Sequence, residues 1–318
     1  MGLEKGVTVY CLAYNHEKYI AKTLQGFLDQ KVNVPFHVIV HDDASTDGTQ
    51  RVIQEYAAKK PELFTLILQE ENQYSKGTRI YDTFIAPRIT TKYCCVCEGD
   101  DYWSDPQKVQ LQYEYMEANP GCSMCVHNTE RIDADGNSLQ QPFSLSEEDQ
   151  DYTAADVIEA GPGKLFHTTS YMYQTELRSK IPDCYLVPGI GDYPLSIYMS
   201  TQGHIHYIAR TMSAYRVNVP GSWTVRVEHR ENLQHIRNLI SMLERVDAYT
   251  EQTYHSSFEK MIHQYRYNIY VRENQLKEIL FRNGCKDVPP SMRAKLLLRG
   301  IAYPLILARR WMRKKRQN

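Results

Sequence analysis

The stretch Tyr93–Gln112, YCCVCEGDDYWSDPQKVQLQ, sets the pattern for the first half of the chain. It opens with a short β-prone apolar run, Tyr93–Cys97. It then passes through an acidic turn, Glu98-Gly99-Asp100-Asp101. Asp105-Pro106 follows, a cap with proline at the first helical position, and opens a helix to about Ala118. The same strand, polar turn and helix order occurs twice upstream. Val7–Leu12 runs into Ala13-Tyr14-Asn15, where Asn15 is expected to cap a helix with Ile20, Leu24, Phe27 and Leu28 on one face. Phe36–His41 runs into Asp42-Asp43-Ala44-Ser45-Thr46-Asp47 ahead of a helix over Thr49–Lys59. Leu63–Leu68 reads as a further strand and Ile80–Ile89 as a short helix. Strands alternating with helices imply an α/β fold, a doubly wound, mostly parallel sheet covered on both faces.

Beyond this the pattern loosens. Ser123–Arg131 is strand-like, Asp135-Gly136-Asn137 a turn, and Gln141–Asp151 is polar and expected to be a loop. Asp192–Thr201 reads as a helix and His204–Val217 as one or two strands. From Val225 to Arg282 the pattern is continuously helical, which predicts a C-terminal helical annex. The expected domains are a ligand-binding and catalytic domain over 1–224, the annex over 225–292, and a basic amphipathic tail over 293–318.

The 318 residues include 42% hydrophobic and 24% charged side chains, enough for a packed core. The 24 tyrosines against 8 phenylalanines suit a polar ligand cleft. Net charge is −1, unevenly placed: nine of the 37 basic residues lie from Arg293 onward, where there is no acid. Residues 1–292 therefore hold 28 basic against 38 acidic side chains, a net of −10, which argues against nucleic acid as the partner. The N-terminus has no long apolar run, and Gly300–Ala308 is nine residues, under half of the ~20 needed to span a bilayer. A cytoplasmic protein is expected, with its eight cysteines reduced. Cys122–Cys125 is a CxxC with no second pair at zinc-finger spacing, so buried thiols are expected.

Three polar clusters thus follow three strands, and ligands of open α/β sheets bind outside the carboxyl ends of the strands. Glu98, Asp100 and Asp101 crowd like charges that call for a cation or unusual protonation. Hard oxygen ligands of this kind suit Mn²⁺ or Mg²⁺, with substrate phosphates completing the shell. Neither GxGxxG nor GxxxxGK[ST] follows the first strand, which disfavours dinucleotide enzymes and P-loop NTPases.

The blocks VTVYCLAYN, HDDASTDGT and EGDDYWSDPQKVQLQ resemble, in order and spacing, the signature blocks of family 2 glycosyltransferases, which have the nucleotide-sugar-binding GT-A fold. The resemblance is strong over about 5–130 and loose over 160–225. It implies that Ala13, Tyr14 and Asn15 contact the nucleoside, with Tyr14 stacking on the base. It implies that Asp43 accepts from the base imide, while Asp42 either helps or braces the loop. Glu98-Gly99-Asp100-Asp101 takes the place of the DxD motif, with Asp100 on ribose or metal and Asp101 on metal; Glu98 stands where Asp is common. Lys76 and Arg79 fall where the family often has a basic residue near the nucleotide, and read equally as solvated surface.

A sugar transferred with inversion needs a general base for the acceptor hydroxyl. Asp192, in PGIGDY, resembles the family's catalytic carboxylate block, and its other reading is a helix cap. His167, in a polar run before a strand, is read as lining the acceptor cleft or as structural. Arg216 and Trp223 resemble a segment that folds over the diphosphate, Arg216 pairing with phosphate and Trp223 stacking on a sugar. The resulting expectation is a metal-dependent inverting glycosyltransferase of the hexosyltransferase class. Its donor is a UDP-sugar and its acceptor a glycan or lipid-linked sugar of bacterial surface polysaccharide. The alternatives are a dTDP- or GDP-sugar donor, or an inactive nucleotide- or carbohydrate-binding subunit. The tail, basic and apolar with Pro304 dividing it, is expected either to pack on the annex or to rest on an anionic membrane surface at the inner face of the cell membrane.

Overall fold

The register of the first strands already gathers three polar turns at one edge. In the computed structural model, which describes residues 2–143, 146–187, 190–217 and 233–273, β1 (Glu4–Ala13) pairs in parallel with β2 (Phe36–Asp42) and with β4 (Thr91–Glu98). Ala13 lies opposite Asp42, and Leu12 opposite Glu98. β3 (Phe64–Leu68) adds in parallel outside β2. On the other side, β9 (Met172–Gln174) joins antiparallel to β4 and to β6 (Cys122–Ile132). β10 (His204–Arg216) then runs parallel to β6 and carries β5 (Tyr102–Trp103) antiparallel. The order is β3-β2-β1-β4-β9-β6-β10-β5, with β7 (Ser138–Pro142) on β6 and β8 (Gln150–Tyr152) on β10. The sheet is mixed: its long strands pair in parallel and its antiparallel members are short.

Alternation explains why the long strands are nearly all apolar. Val9, Cys11, Val38, Val40, Cys95 and Cys97 point to one face and are buried under α1 (Ile20–Leu28), α2 (Thr49–Ala57) and α3 (Lys108–Ala118), through Leu24, Phe27, Ile53 and Val109. Among the described residues of this unit, α4 (Ala154–Ala160), α5 (Thr175–Ser179) and α6 (Asp192–Gln202) are the further α-helices. The six buried cysteines, Cys122 and Cys125 among them, carry free thiols.

Local details depart from expectation in three places. Asn15 does not cap α1: the helix opens four residues later, behind Tyr19, and Asn15 turns to the β2 loop instead. Residues 141–151 are not all loop, since their ends form β7 and β8 on the flanks of the sheet. Ile80–Ile89 becomes a π-helical turn, Tyr81–Ile85, followed by a 3₁₀ turn, Ala86–Arg88.

The chain divides into two compact units, Met1–Arg230 and Glu231–Asn318. In the second, α7 (Leu233–Tyr249) and α8 (His255–Arg272) pack as a hairpin around Leu243, Val246, Phe258 and Met261. Asp247 Oδ2 and His255 Nδ1, 2.6 Å apart, clasp the connection. No helix of the described residues is long and apolar enough to cross a membrane. The expected tail over 293–318, Trp223 and Ser222 lie outside the described residues.

Candidate active site

The turns after β1 and β2 lock each other. Asn15 and Ala44 both adopt left-handed φ, 57° and 61°, a conformation costly for residues other than glycine. Reciprocal bonds hold them there: the Asn15 N–H donates to Ser45 Oγ (2.8 Å), and the Thr46 N–H to Asn15 Oδ1 (2.8 Å). The Asp43 N–H donates to the Ala13 carbonyl at 2.9 Å. Beside this lock the Tyr14 ring is 42% exposed, unusual for so large an apolar face.

The two adjacent aspartates have internal duties. Asp42 is fully buried and accepts from Ser45 N–H (2.9 Å), Ser45 Oγ (2.5 Å) and Gln50 Nε2 (2.7 Å). These bonds brace the loop, as the second of its two readings has it. Asp43 accepts the Gln73 N–H on one oxygen (2.8 Å) and the Tyr74 N–H on the other (3.0 Å), so it anchors the turn after β3. Each oxygen keeps a second lone pair, and nucleoside recognition by Asp43 is compatible with that anchoring. Lys76 pairs with Glu71, and Arg79 with Asp82 at 2.6 Å, all well exposed. The solvated surface reading fits both basic residues.

The acidic turn after β4 is fastened by its backbone. The Gly99 N–H donates to the Leu12 carbonyl (2.9 Å), and Thr23 Oγ1 donates to the Gly99 carbonyl at 3.0 Å. A Cβ at 99 would lie 2.7 Å from His16 Nδ1 and 3.0 Å from Ile20 Cδ1, so those side chains would have to shift to admit one. The three carboxylates then diverge. Glu98 Oε1 accepts from Thr168 Oγ1 at 3.0 Å, while Oε2 is shut off from solvent with no partner among the described residues. Asp100 lies 3.9 Å from His16 Nε2. Asp101 turns into the protein, 2% exposed, and accepts the Arg216 N–H on Oδ1 at 2.8 Å. Its carboxylate fastens the end of β10 through that oxygen, and its place on a metal stands as what the resemblance implies. Arg216 is likewise spent on structure, with Nε on the Asp100 carbonyl (3.1 Å), Nη1 on the carbonyls of Asp133 (3.0 Å) and Ala134 (3.1 Å), and its guanidinium over Tyr19.

Burial pushes the Glu98 carboxyl up to about 7, with the charges of Asp100 and then Asp192 adding to it. Asp101 rises well above the carboxylate range for the same first reason, then through Asp100 and Glu98, against the opposing Arg216 N–H. Glu98 and Asp100 offer hard oxygen donors, and Glu98 Oε2 is an orphaned acceptor; that donor chemistry fits a divalent cation completed by substrate oxygens. Among the described residues no three His, Cys, Asp or Glu side chains converge as a ready-made cage.

Asp192 is the first residue of α6. Gly191 occupies the cap position and no side chain caps the helix, so the cap reading of Asp192 is not what the geometry gives. Asp192 lines a recess with Gly161, Lys164, Phe166, Tyr171 and Ser196. Tyr171 is buried, its hydroxyl 3.0 Å from Ser196 Oγ, which donates to the Asp192 carbonyl at 2.9 Å. His167 stacks on Tyr215 (3.8 Å between centroids) and accepts the Thr169 N–H on Nδ1 at 3.3 Å. Burial, then the charge of Arg131, pushes its pKa down to about 3, which favours the neutral ring. Sequence reasoning missed His16, Thr168 and Tyr171. Only Thr168 lay in a run already singled out; the other two carry no local signal, since their partners lie far along the chain.

A family model described as glycosyl transferase family 2 matches residues 8–180. The chain belongs to family 2 of the glycosyltransferases. It is 31% identical over 254 residues, 77% of its length, to an uncharacterized protein of Mycobacterium tuberculosis, of which it spans 70%. It is 29% identical over 147 residues to the putative teichuronic acid biosynthesis glycosyltransferase TuaG of Bacillus subtilis, covering 45% of this chain and 56% of that one. Among solved structures it resembles S. aureus TarS 1–349 in complex with UDP-GlcNAc, with TM-score 0.58 and 13% identity over 88% of this chain and 74% of that one. It spans 44% of a longer TarS chain. It also resembles the mannosyltransferase PcManGT of Pyrobaculum calidifontis in complex with GDP-Man and Mn²⁺, with TM-score 0.57 and 18% identity over 94% of this chain and 80% of that one. These likenesses establish the GT-A type fold, and family membership makes this family 2 glycosyltransferase a nucleotide-sugar transferase.

Proposed function

We propose that this glycosyltransferase transfers a hexose from a UDP-sugar, with inversion, to a glycan or lipid-linked acceptor in surface polysaccharide synthesis. The observation that carries the reading is that two carboxylates, Glu98 and Asp192, lie near enough for the charge of one to bear on the other. Glu98, at the carboxyl end of β4, has an unpartnered buried oxygen, and its pKa is raised in part by Asp192 on the first turn of α6. Displacement at an anomeric carbon needs a base for the attacking hydroxyl on one side and stabilisation of the departing diphosphate on the other. Asp192 takes the proton from the acceptor hydroxyl as that hydroxyl attacks, a contribution of ~10²–10⁴ in rate. Glu98 and Asp100 would hold Mn²⁺ or Mg²⁺, which would supply positive charge against the departing nucleoside diphosphate. Tyr14 stacks on the base, and Ala13, Asn15 and Asp43 form the nucleoside pocket around it. The donor complexes of TarS and PcManGT, and the name of TuaG, support a nucleotide-sugar donor and a wall-polymer acceptor.

The test is donor hydrolysis over a panel of UDP-, dTDP- and GDP-sugars, with Mn²⁺ or with chelator. Release of UDP that needs the metal supports the reading. Full turnover in chelator removes the metal, and release from dTDP- or GDP-sugars alone moves the donor to that nucleotide. No turnover of any donor returns the chain to a binding subunit.

A further inference from the structure

A buried carboxylate oxygen without a donor costs roughly 1–3 kcal/mol, so Glu98 Oε2 is either a defect or a place held for a ligand. What separates these is how the side chain is held. A glutamate has three rotatable bonds and no reason of its own to present one oxygen inward. Here the other oxygen, Oε1, takes the hydroxyl of Thr168 at 3.0 Å, a partner 70 positions away. Thr168 cannot drift, because it opens a 3₁₀ turn, Thr168–Ser170, pinned at several points. Thr169 Oγ1 reaches Cys97 Sγ (3.2 Å), the Thr169 carbonyl accepts from Trp103 Nε1 (2.9 Å), and the Ser170 carbonyl accepts from Gln112 Nε2 (2.8 Å). Thr169 and Ser170 are fully buried. The turn is thus built onto β4, β5 and α3 together, and its one side-chain bond to the acidic turn goes to Glu98.

We propose that Thr168 is a positioning residue for the donor site: its hydroxyl holds Glu98 in the rotamer that presents Oε2 to the cation and diphosphate of the bound nucleotide. This rests on the cation-assisted reading above. A carboxylate held on one oxygen and unpartnered on the other meets its ligand without first losing rotamer freedom, and such preorganisation shows as affinity. Valine keeps the shape of threonine and loses the donor, while serine keeps the donor and loses a methyl.

The experiment is calorimetric binding of UDP, and of GDP in parallel, to the full chain with and without Mn²⁺, for wild type, Thr168→Val, Thr168→Ser and Glu98→Gln. Thermal unfolding is measured on each. Wild type is expected to bind one nucleotide more tightly with Mn²⁺. Thr168→Val is expected to lose at least about 10-fold of that Mn²⁺-dependent gain, with its affinity in chelator unchanged, and Thr168→Ser to recover most of it. A Thr168→Val protein that unfolds earlier yet keeps the full gain makes the residue structural and overturns the proposal. So does failure of serine to restore the gain while Glu98→Gln abolishes it. A wild type whose nucleotide affinity ignores Mn²⁺ removes the underlying reading, and the proposal with it.

Discussion

Arg216 and Asp101 meet across 115 positions: the Arg216 N–H donates to Asp101 Oδ1 at 2.8 Å, at the junction of the acidic turn and the end of β10. This bond gives Asp101 a structural part. Asp101→Ala leaves a buried N–H unsatisfied and is expected to destabilise the fold by ~1–3 kcal/mol. Asp101→Asn keeps an oxygen for the N–H and is expected to lose less. Urea unfolding of the two variants checks this. An alanine variant with wild-type stability and no nucleotide binding would return Asp101 to the ligand.

Asp192 lies on the first turn of α6, and its charge adds to the raised pKa of Glu98. Asparagine keeps its shape and cannot take a proton. Asp192→Asn is expected to lower sugar transfer by at least ~100-fold with nucleotide affinity within a few-fold of wild type. Single-turnover transfer and equilibrium UDP binding separate the two effects. Loss of affinity with turnover of bound donor intact would make Asp192 a binding residue.

The two perturbed groups flanking the acidic turn pull stability in opposite directions with pH. Glu98 is raised to about 7 in the fold, so between the ordinary glutamate range and pH 7 the folded state holds a proton that the unfolded chain releases. Its contribution is present at low pH and is lost as pH rises through that window. His167 is depressed to about 3, so unfolding takes up a proton below the ordinary histidine range. Its contribution is present above about pH 6.5 and is lost as pH falls. In nucleotide-free protein, Glu98→Gln is expected to flatten the decline in melting temperature from pH 5 to 7, and His167→Asn the decline on acidification. Unchanged profiles in both variants would show that neither group is perturbed.

What was legible in the sequence follows the range of the interactions. Apolar runs bounded by turn residues marked β1, β2, β3 and β4 and the helices between them, because burial on both faces leaves a local trace. The gathering of Ala13, Asp42 and Glu98 at one edge followed from strand order alone. The capping box at α4, Thr153 with Asp156, was also local, and was overlooked. β5 and β8, of two and three residues, are too short to show alternation and exist by pairing with β10. The duties of Asp42, Asp43, Asp101 and Arg216 were not legible. An aspartate at the end of a strand reads the same whether it faces a ligand or a backbone N–H, and the N–H groups that claim Asp43 and Asp101 come from 30 to 115 positions away. Family resemblance shares this limit, for it matches residue types and not their partners.

The last prediction concerns residues 293–316, outside the described residues, where nine basic side chains intersperse with Leu296, Leu297, Leu298, Ile301, Leu305, Ile306, Leu307 and Trp311 and no acid occurs. An apolar side set in the headgroup boundary with arginines on anionic lipid makes a reversible anchor, and each basic residue near such a surface contributes ~1 kcal/mol. A lipid-linked acceptor would make that placement useful. The full chain is expected to co-sediment with phosphatidylglycerol vesicles at low salt, to leave them as salt rises and screening shortens the reach of the charges, and to ignore phosphatidylcholine vesicles. Replacing Arg309, Arg310, Arg313, Lys314, Lys315 and Arg316 with glutamine removes up to about 6 kcal/mol of that attraction and is expected to abolish co-sedimentation while nucleotide binding persists. Equal sedimentation of the two proteins would assign the tail to packing on the helical annex.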